Sequence, residues 1–155
     1  GTTALLALVR DSVLYLAALG DSRAYLVGES GVSLLTGDQN VRGLWLCAHR
    51  TGGPLPDVAN EGFALVGYCG RFDDQGRPSP AEPVVRMVPM FPGETLLMCS
   101  DGLTDYAAGT LSGQSAIVAE GAQQADLWHG CRWLVNKANE GGGGDNITVL
   151  LARLL

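Results

Sequence analysis

The sequence predicts an α+β domain in which a run of antiparallel strands precedes a helical segment and a final strand. Three observations predict it. Short apolar runs separated by turn residues fill the first 35 positions. Apolar residues recur at spacings of three and four between Leu127 and Ala138. A segment rich in β-formers, Ile147-Thr148-Val149-Leu150-Leu151-Ala152-Arg153, closes the chain.

Taken in order, residues 3–9 form a first strand that ends at the polar pair Arg10-Asp11. Residues 12–18 return antiparallel to it and run into Gly20-Asp21-Ser22. Residues 23–27 form a third strand, Gly28 to Gly31 a turn, and residues 32–35 a fourth. The spacing reads as a β-meander, and the nearly unbroken apolarity of these runs predicts cover on both faces. Residues 36–83 are predicted to be irregular because glycine and proline recur throughout, as in Gly52-Gly53-Pro54 and Gly76-Arg77-Pro78. A segment of that length inside a compact domain points to a functional loop. Residues 84–88 return as a strand, Pro92-Gly93 turns the chain, and residues 95–99 form the next strand. A helix is expected over 113–139, ended by the four glycines 141–144.

The chain has 155 residues, 46% of them apolar and 17% charged, which suits one globular domain and excludes a disordered chain. Charges interrupt every apolar run, so no membrane span is expected. The net charge of −6 and a pI near 4.7 argue against nonspecific nucleic-acid binding. The same charge repels a phosphate dianion unless a bound cation offsets it. Cys47, Cys69, Cys99 and Cys131 lie far apart in sequence. They suggest buried thiols in a reducing cytoplasm rather than a disulfide framework or zinc site. The chain opens Gly-Thr-Thr, which suggests that it begins inside a longer gene product.

Acidic residues mark the candidate chemistry. Asp21 sits in the turn between the second and third strands, Asp101 follows the strand 95–99, and Asp145 precedes the final strand. If those strands share a sheet, the three carboxylates can converge on one edge. Asp105, four residues after Asp101, falls on the same face of a helical turn. Crowded carboxylates need neutralising, and an all-oxygen set suits Mg²⁺ or Mn²⁺. Read one at a time, each aspartate is equally an ordinary turn or cap residue.

Five strings in order complete the picture: Gly1-Thr2-Thr3-Ala4, Gly20-Asp21-Ser22-Arg23-Ala24-Tyr25, Leu35-Thr36-Gly37-Asp38, Cys99-Ser100-Asp101-Gly102-Leu103-Thr104-Asp105, and Gly144-Asp145-Asn146-Ile147-Thr148-Val149. Together they resemble the PPM (type 2C) family of metal-dependent protein serine/threonine phosphatases in its bacterial form. The resemblance implies two stacked antiparallel β-sheets flanked by helices, a four-layer α-β-β-α sandwich. It implies metal ligands at Asp101 and Asp145 for a binuclear pair, and at Asp21, Asp101 and Asp105 for a third ion. Gly102 would permit the tight turn after Asp101, and Asn146 would orient the closing segment. The implied cofactor is Mn²⁺ or Mg²⁺, two or three ions in the complete domain. No catalytic group beyond the metal ligands and no organic cofactor is implied. The activity implied is hydrolysis of phosphoserine or phosphothreonine in phosphoproteins by a metal-activated water, within bacterial signalling and beside a kinase or regulatory partner. Residues 41–83 would be the family's flap. The family's N-terminal part, with its phosphate-contacting arginine and its Asp-Gly metal bridge, has no counterpart here. Residues 1–155 therefore read as the C-terminal two thirds of one phosphatase domain. The alternative is a pseudophosphatase or assembly module that keeps the fold without turnover.

The remaining polar and aromatic residues carry weaker signals. His129 reads as a helix residue, and His49 as a flap residue and a minor candidate for general acid. Arg23 reads as a partner in a structural ion pair, and Trp45, Trp128 and Trp133 as packing aromatics. Ser22 and Ser100 lack a nearby histidine in sequence and are not read as nucleophiles.

Overall fold

In a computed structural model the described residues, 1–52 and 62–155, form two antiparallel sheets and four helices. The first sheet has the order β1 (Ala4–Arg10), β2 (Val13–Leu19), β5 (Val84–Pro89). The second has the order β4 (Gly31–Leu34), β3 (Arg23–Gly28), β6 (Thr95–Cys99), β7 (Val149–Arg153). All seven predicted strands are present. The meander, however, is broken: β2 and β3 lie in different sheets.

The break occurs at Gly20, where φ is 107° and where a Cβ would stand 2.4 Å from the Thr3 side chain. Only glycine combines that backbone with that approach. Its N–H donates to Gln39 Oε1 at 2.8 Å and its carbonyl accepts from Gln39 N at 3.0 Å, which pins the crossing point.

The two sheets pack face to face. Leu14 and Leu16 of β2 meet Ala24 and Leu96 of the second sheet, with Leu35 and Met90, in one buried cluster. Such packing of two inner faces is the usual core of a sandwich. The far side of the second sheet presents Tyr25, Val27, Leu97 and Cys99 to Leu103, Val118, Ala122, Leu134 and Ala138 of the helices. These belong to α2 (Asp101–Ala107), α3 (Leu111–Ala122) and α4 (Leu127–Glu140). The helices, the second sheet and the first sheet are therefore three successive layers.

The single helix expected over 113–139 is two. The sequence Gln123-Gln124-Ala125-Asp126 separates them, and Asp126 caps α4 by accepting from Trp128 N at 2.8 Å. Gly121 and Gly130 lie where they cross: a Cβ on Gly121 would meet Leu134 at 2.4 Å, and one on Gly130 would meet the Gly121 carbonyl at 2.4 Å. The helices thus approach more closely than side chains would permit.

The irregular segment also differs in part from expectation. Residues Val41–Thr51 form α1, capped by Asn40, whose Oδ1 accepts from Gly43 N at 2.8 Å. The breakers weighted in the sequence begin only at Gly52, whose φ of 72° ends the helix. The stretch 53–61, which includes Gly53-Pro54 and Pro56, lies outside the described residues. From 62 to 83 the chain is held by isolated bridges such as Asn40↔Leu65 and Phe72↔Pro78.

Three expectations about exposure are corrected. The first sheet is not covered on both faces: Leu6, Leu8, Val85 and Met87 are each more than 60% exposed among the described residues. Cys47 and Cys69 lie at the surface, while Cys99 is buried, which pushes its thiol up to about 12 and makes it unreactive. Trp128 is 67% exposed, because it lies on the solvent side of α4. No helix among the described residues is long and apolar enough to cross a membrane.

Candidate functional site

The register of the second sheet determines where the acidic residues fall. Arg23 pairs with Cys99, and Cys99 with Val149. The start of β3, the end of β6 and the start of β7 thus form one row. Asp21 lies two residues before that row, Asp101 two after it, and Asp145 four before it. This pairing brings the three backbone positions to one end of the second sheet; it does not by itself bring the three carboxylates together.

Asp21, Asp101 and Asp105 line one small polar pocket, together with Arg23, Asp38, Asn40, Arg42, Phe63 and Thr104. Asp101 is the first residue of α2 and Asp105 follows one turn later, as the spacing of four required. A negative side chain at a helix start is favoured by the unsatisfied N–H groups there. Asp145 does not line the pocket. It lies on the adjoining exposed loop, where its Oδ1 accepts from Asn146 N at 2.7 Å.

The two loops that carry Asp101 and Asp145 are fastened together. Ser100 Oγ donates to the Asn146 carbonyl and accepts from Thr148 N, both at 3.0 Å. Ser100 N also donates to the Thr148 carbonyl at 3.1 Å. A Cβ on Gly102 would stand 2.4 Å from the Asn146 carbonyl. Gly102 is therefore needed for close approach to the Asp145 loop, and it occupies the first turn of α2 rather than a left-handed turn. The orienting role expected of Asn146 is carried by its backbone carbonyl.

Arg23 forms the structural ion pair expected of it; what the sequence did not show is its partners, Asp38 and Gln114, which make a polar support behind the aspartates. Arg23 donates from Nε and Nη2 to both oxygens of Asp38, at 2.8 and 2.5 Å, and from Nη1 to Gln114 Oε1 at 2.9 Å. Both charged side chains are largely buried, at 13% and 15% exposure, and the bidentate geometry is the strong form of this contact. Asp38 raises the Arg23 pKa further. Gln114 Nε2 then donates to the Thr104 carbonyl at 2.7 Å, which ties α3 to α2. Asn40 both caps α1 and donates from Nδ2 to Asp21 Oδ2 at 3.2 Å. The string Leu35-Thr36-Gly37-Asp38 was the available signal for Asp38. Nothing local marked Gln114, which lies 91 residues from Arg23.

Burial and mutual repulsion disfavour the charged form of two carboxyls in the pocket. The Asp21 carboxyl is raised above its ordinary value by loss of hydration, and the Asp101 charge adds to the effect. Asp105 is raised by the same two causes in the same order, although its side chain reaches solvent. Among the described residues no three His, Cys, Asp or Glu groups lie close enough together to hold an ion. Mg²⁺ commonly takes only one or two carboxylates and keeps several waters. The oxygen-only donors therefore fit a hard, partly hydrated dication, and they do not close a coordination shell by themselves.

Comparison with known proteins agrees with this layout. The profile of the family described as "Protein phosphatase 2C" matches residues 1–42. A serine/threonine phosphatase stp of Listeria welshimeri is 32% identical over 162 residues, covering 97% of this chain and 56% of that protein. The serine/threonine phosphatase of S. agalactiae superposes with a TM-score of 0.78 at 25% identity, over 99% of this chain and 59% of that one. The catalytic domain of the serine/threonine protein phosphatase PstP, solved with two manganese ions, superposes with a TM-score of 0.71 at 26% identity, over 97% of this chain and 57% of that one. The chain thus spans a little over half the length of these three proteins.

Proposed function

From its kinship with the PPM (type 2C) serine/threonine phosphatases, we propose that this chain is the C-terminal two thirds of a phosphatase domain that hydrolyses phosphoserine and phosphothreonine in proteins. The observation that carries the reading is the row Arg23–Cys99–Val149, which delivers Asp21, Asp101 and Asp145 to one edge of the second sheet. We assign Asp21, Asp101, Asp105 and Asp145 to metal binding. A bound Mn²⁺ or Mg²⁺ supplies a water acidic enough to be nucleophilic near neutral pH and offsets the phosphoryl charge.

The chain's own residues do the positioning. Asn40 holds one Asp21 oxygen, so the other remains available to a ligand. The Ser100–Asn146 clasp sets the separation of the Asp101 and Asp145 loops. The Arg23–Asp38 pair offsets most of a fifth charge behind the site, so Asp38 supports the pocket while adding only the smallest part of its repulsion. Hydrolysis would break the ester P–O bond, with water supplying the oxygen to phosphorus and a proton to the departing serine or threonine alcohol. No serine or cysteine of the chain is required as nucleophile.

The segment around 41–83 fits the role of a flap, since α1 begins at the pocket and leads away from it. The bare face of the first sheet fits a further helix layer, supplied by the rest of the domain. A cytoplasmic setting and a kinase or regulatory partner accompany this reading.

The test is hydrolysis of a phosphothreonine peptide by the full-length gene product with and without Mn²⁺. The expected result is Mn²⁺-dependent turnover that falls by at least about 100-fold in Asp101→Ala. Turnover that is absent in the wild type would favour an assembly module that keeps the fold alone.

A further inference from the structure

Helix α2 carries two of the pocket's aspartates, Asp101 and Asp105, on only seven residues. An isolated helix of that length is not stable in water, so its orientation is set by what surrounds it. At its start the Ser100 hydroxyl is engaged by the Asn146 carbonyl and Thr148 N, and it does not cap the helix. At its end a single side chain from α3 meets it. Gln114 Nε2 donates to the Thr104 carbonyl at 2.7 Å and to the Ala108 carbonyl at 3.4 Å. Carbonyls at a helix end run short of donors within the helix, so an outside donor there is favoured.

The other half of the same amide reaches the opposite wall of the pocket. Gln114 Oε1 accepts from Arg23 Nη1 at 2.9 Å. Arg23 stands two residues after Asp21, and Thr104 stands immediately before Asp105. Arg23 and Thr104 both line the pocket, and Gln114 itself does not. Both anchors of the amide are firm. Asp38 takes Arg23 Nε and Nη2, and Thr104 is buried. Gln114 is fixed in turn by its place in the first turn of α3. There Thr110 Oγ1 accepts from Gly113 N at 3.1 Å, and the Thr110 carbonyl accepts from Gln114 N at 2.9 Å.

We propose that Gln114 is a positioning residue for the metal, whose amide sets how far Asp101 and Asp105 on α2 stand from Asp21 just before β3. The inference rests on the metal-binding assignment and deepens it. A side-chain amide suits the task because it donates to one wall and accepts from the other at once. A carboxylate could only accept there, and an ammonium only donate. A small hard dication tolerates little error in the placement of its oxygen ligands, so a small displacement of α2 lowers affinity. Gln114 acts through α2 and makes no contact with the ion.

The test is calorimetric titration of the metal-free, full-length gene product with Mn²⁺, with urea unfolding measured alongside. Asp105→Asn identifies the Mn²⁺ site in question as the one it weakens. Gln114→Met keeps the bulk of the side chain and removes both hydrogen bonds. It is expected to weaken that site about tenfold, as loss of a supporting hydrogen bond behind metal ligands does. Added to Asp105→Asn, it should cost no more than about twofold further, because both changes act on one ligand set. Wild-type Mn²⁺ affinity in Gln114→Met, or losses that simply multiply with those of Asp105→Asn, would overturn the proposal. A residue that only supports the fold would lower the urea midpoint and leave the affinity unchanged. The two ideas fail differently. A loss in Asp105→Asn with none in Gln114→Met sinks this inference alone. Wild-type affinity in Asp21→Asn, Asp101→Asn and Asp105→Asn alike sinks the metal assignment, and this inference with it.

Discussion

The two sheets read alike in sequence and end in different surroundings. The sheet β4-β3-β6-β7 is covered on one side by the first sheet and on the other by α2, α3 and α4. Among the described residues, the sheet β1-β2-β5 is covered only on its inner side. Its pairing aligns Leu8 with Tyr15 and Tyr15 with Met87, and likewise Leu6 with Ala17 and Ala17 with Val85. The outer face is therefore a continuous apolar patch, of a kind that marks an interaction surface. An apolar run shows that a strand can be buried on both faces. It does not show what buries it.

The covered sheet should be the more sensitive. Leu134 is fully buried between α3 and the sheet, against Gly121. Leu134→Ala is expected to lower stability by about 4 kcal/mol, read as a shift of the urea midpoint. A loss under about 1 kcal/mol would mean that the helices contribute little to the core.

The bare face should respond in the opposite sense. Leu8→Ser with Met87→Ser is expected to change the stability of this 155-residue chain by less than about 0.5 kcal/mol and to reduce its self-association in sedimentation. The same pair in a longer chain that covers this face should cost about 3 kcal/mol or more. A large loss in the 155-residue chain would contradict the bare face described here.

A smaller effect separates the site from the core. The Asp21 carboxyl is raised by burial and by Asp101, so the folded chain holds a proton that the unfolded chain has released. Its contribution to stability is full below the ordinary aspartate range and is lost as pH rises through the raised value. Asp21→Asn should therefore be more stable than the wild type at neutral pH in the absence of divalent ions. The gain should vanish in acid. Paired urea titrations at the two pH values measure it, and a gain that persists in acid would show that charge is not its cause.

How much of this was readable in advance depends on how local the cause is. All seven strands were, because each needs only its own apolar run and the turn beside it. The four aspartates and Gly102 were singled out through short strings at strand ends, and Asp21, Asp101 and Asp105 line one pocket; metal binding by any of the four is a proposal. The split between sheets at Gly20 was not, since it depends on the contact with Thr3. Helix α1 was hidden because the segment was judged by its breakers, which begin only at Gly52, past the helix that Asn40 caps. The division of 113–139 into α3 and α4 turned on Asp126, a cap inside an otherwise continuous helical pattern. The Arg23–Asp38–Gln114 network joins residues that no local pattern connects. Asp145 stands four residues before β7 but on an exposed loop outside the pocket that the other three aspartates line, and no local pattern shows where that loop runs.

Titration of the metal-free chain with Mn²⁺ in a calorimeter, for the wild type and Asp101→Asn, tests the central claim most directly. The account predicts measurable binding to the wild type, weakened about tenfold or more by Asp101→Asn. Equal binding by the two proteins would contradict the assignment of this sheet edge as the metal site.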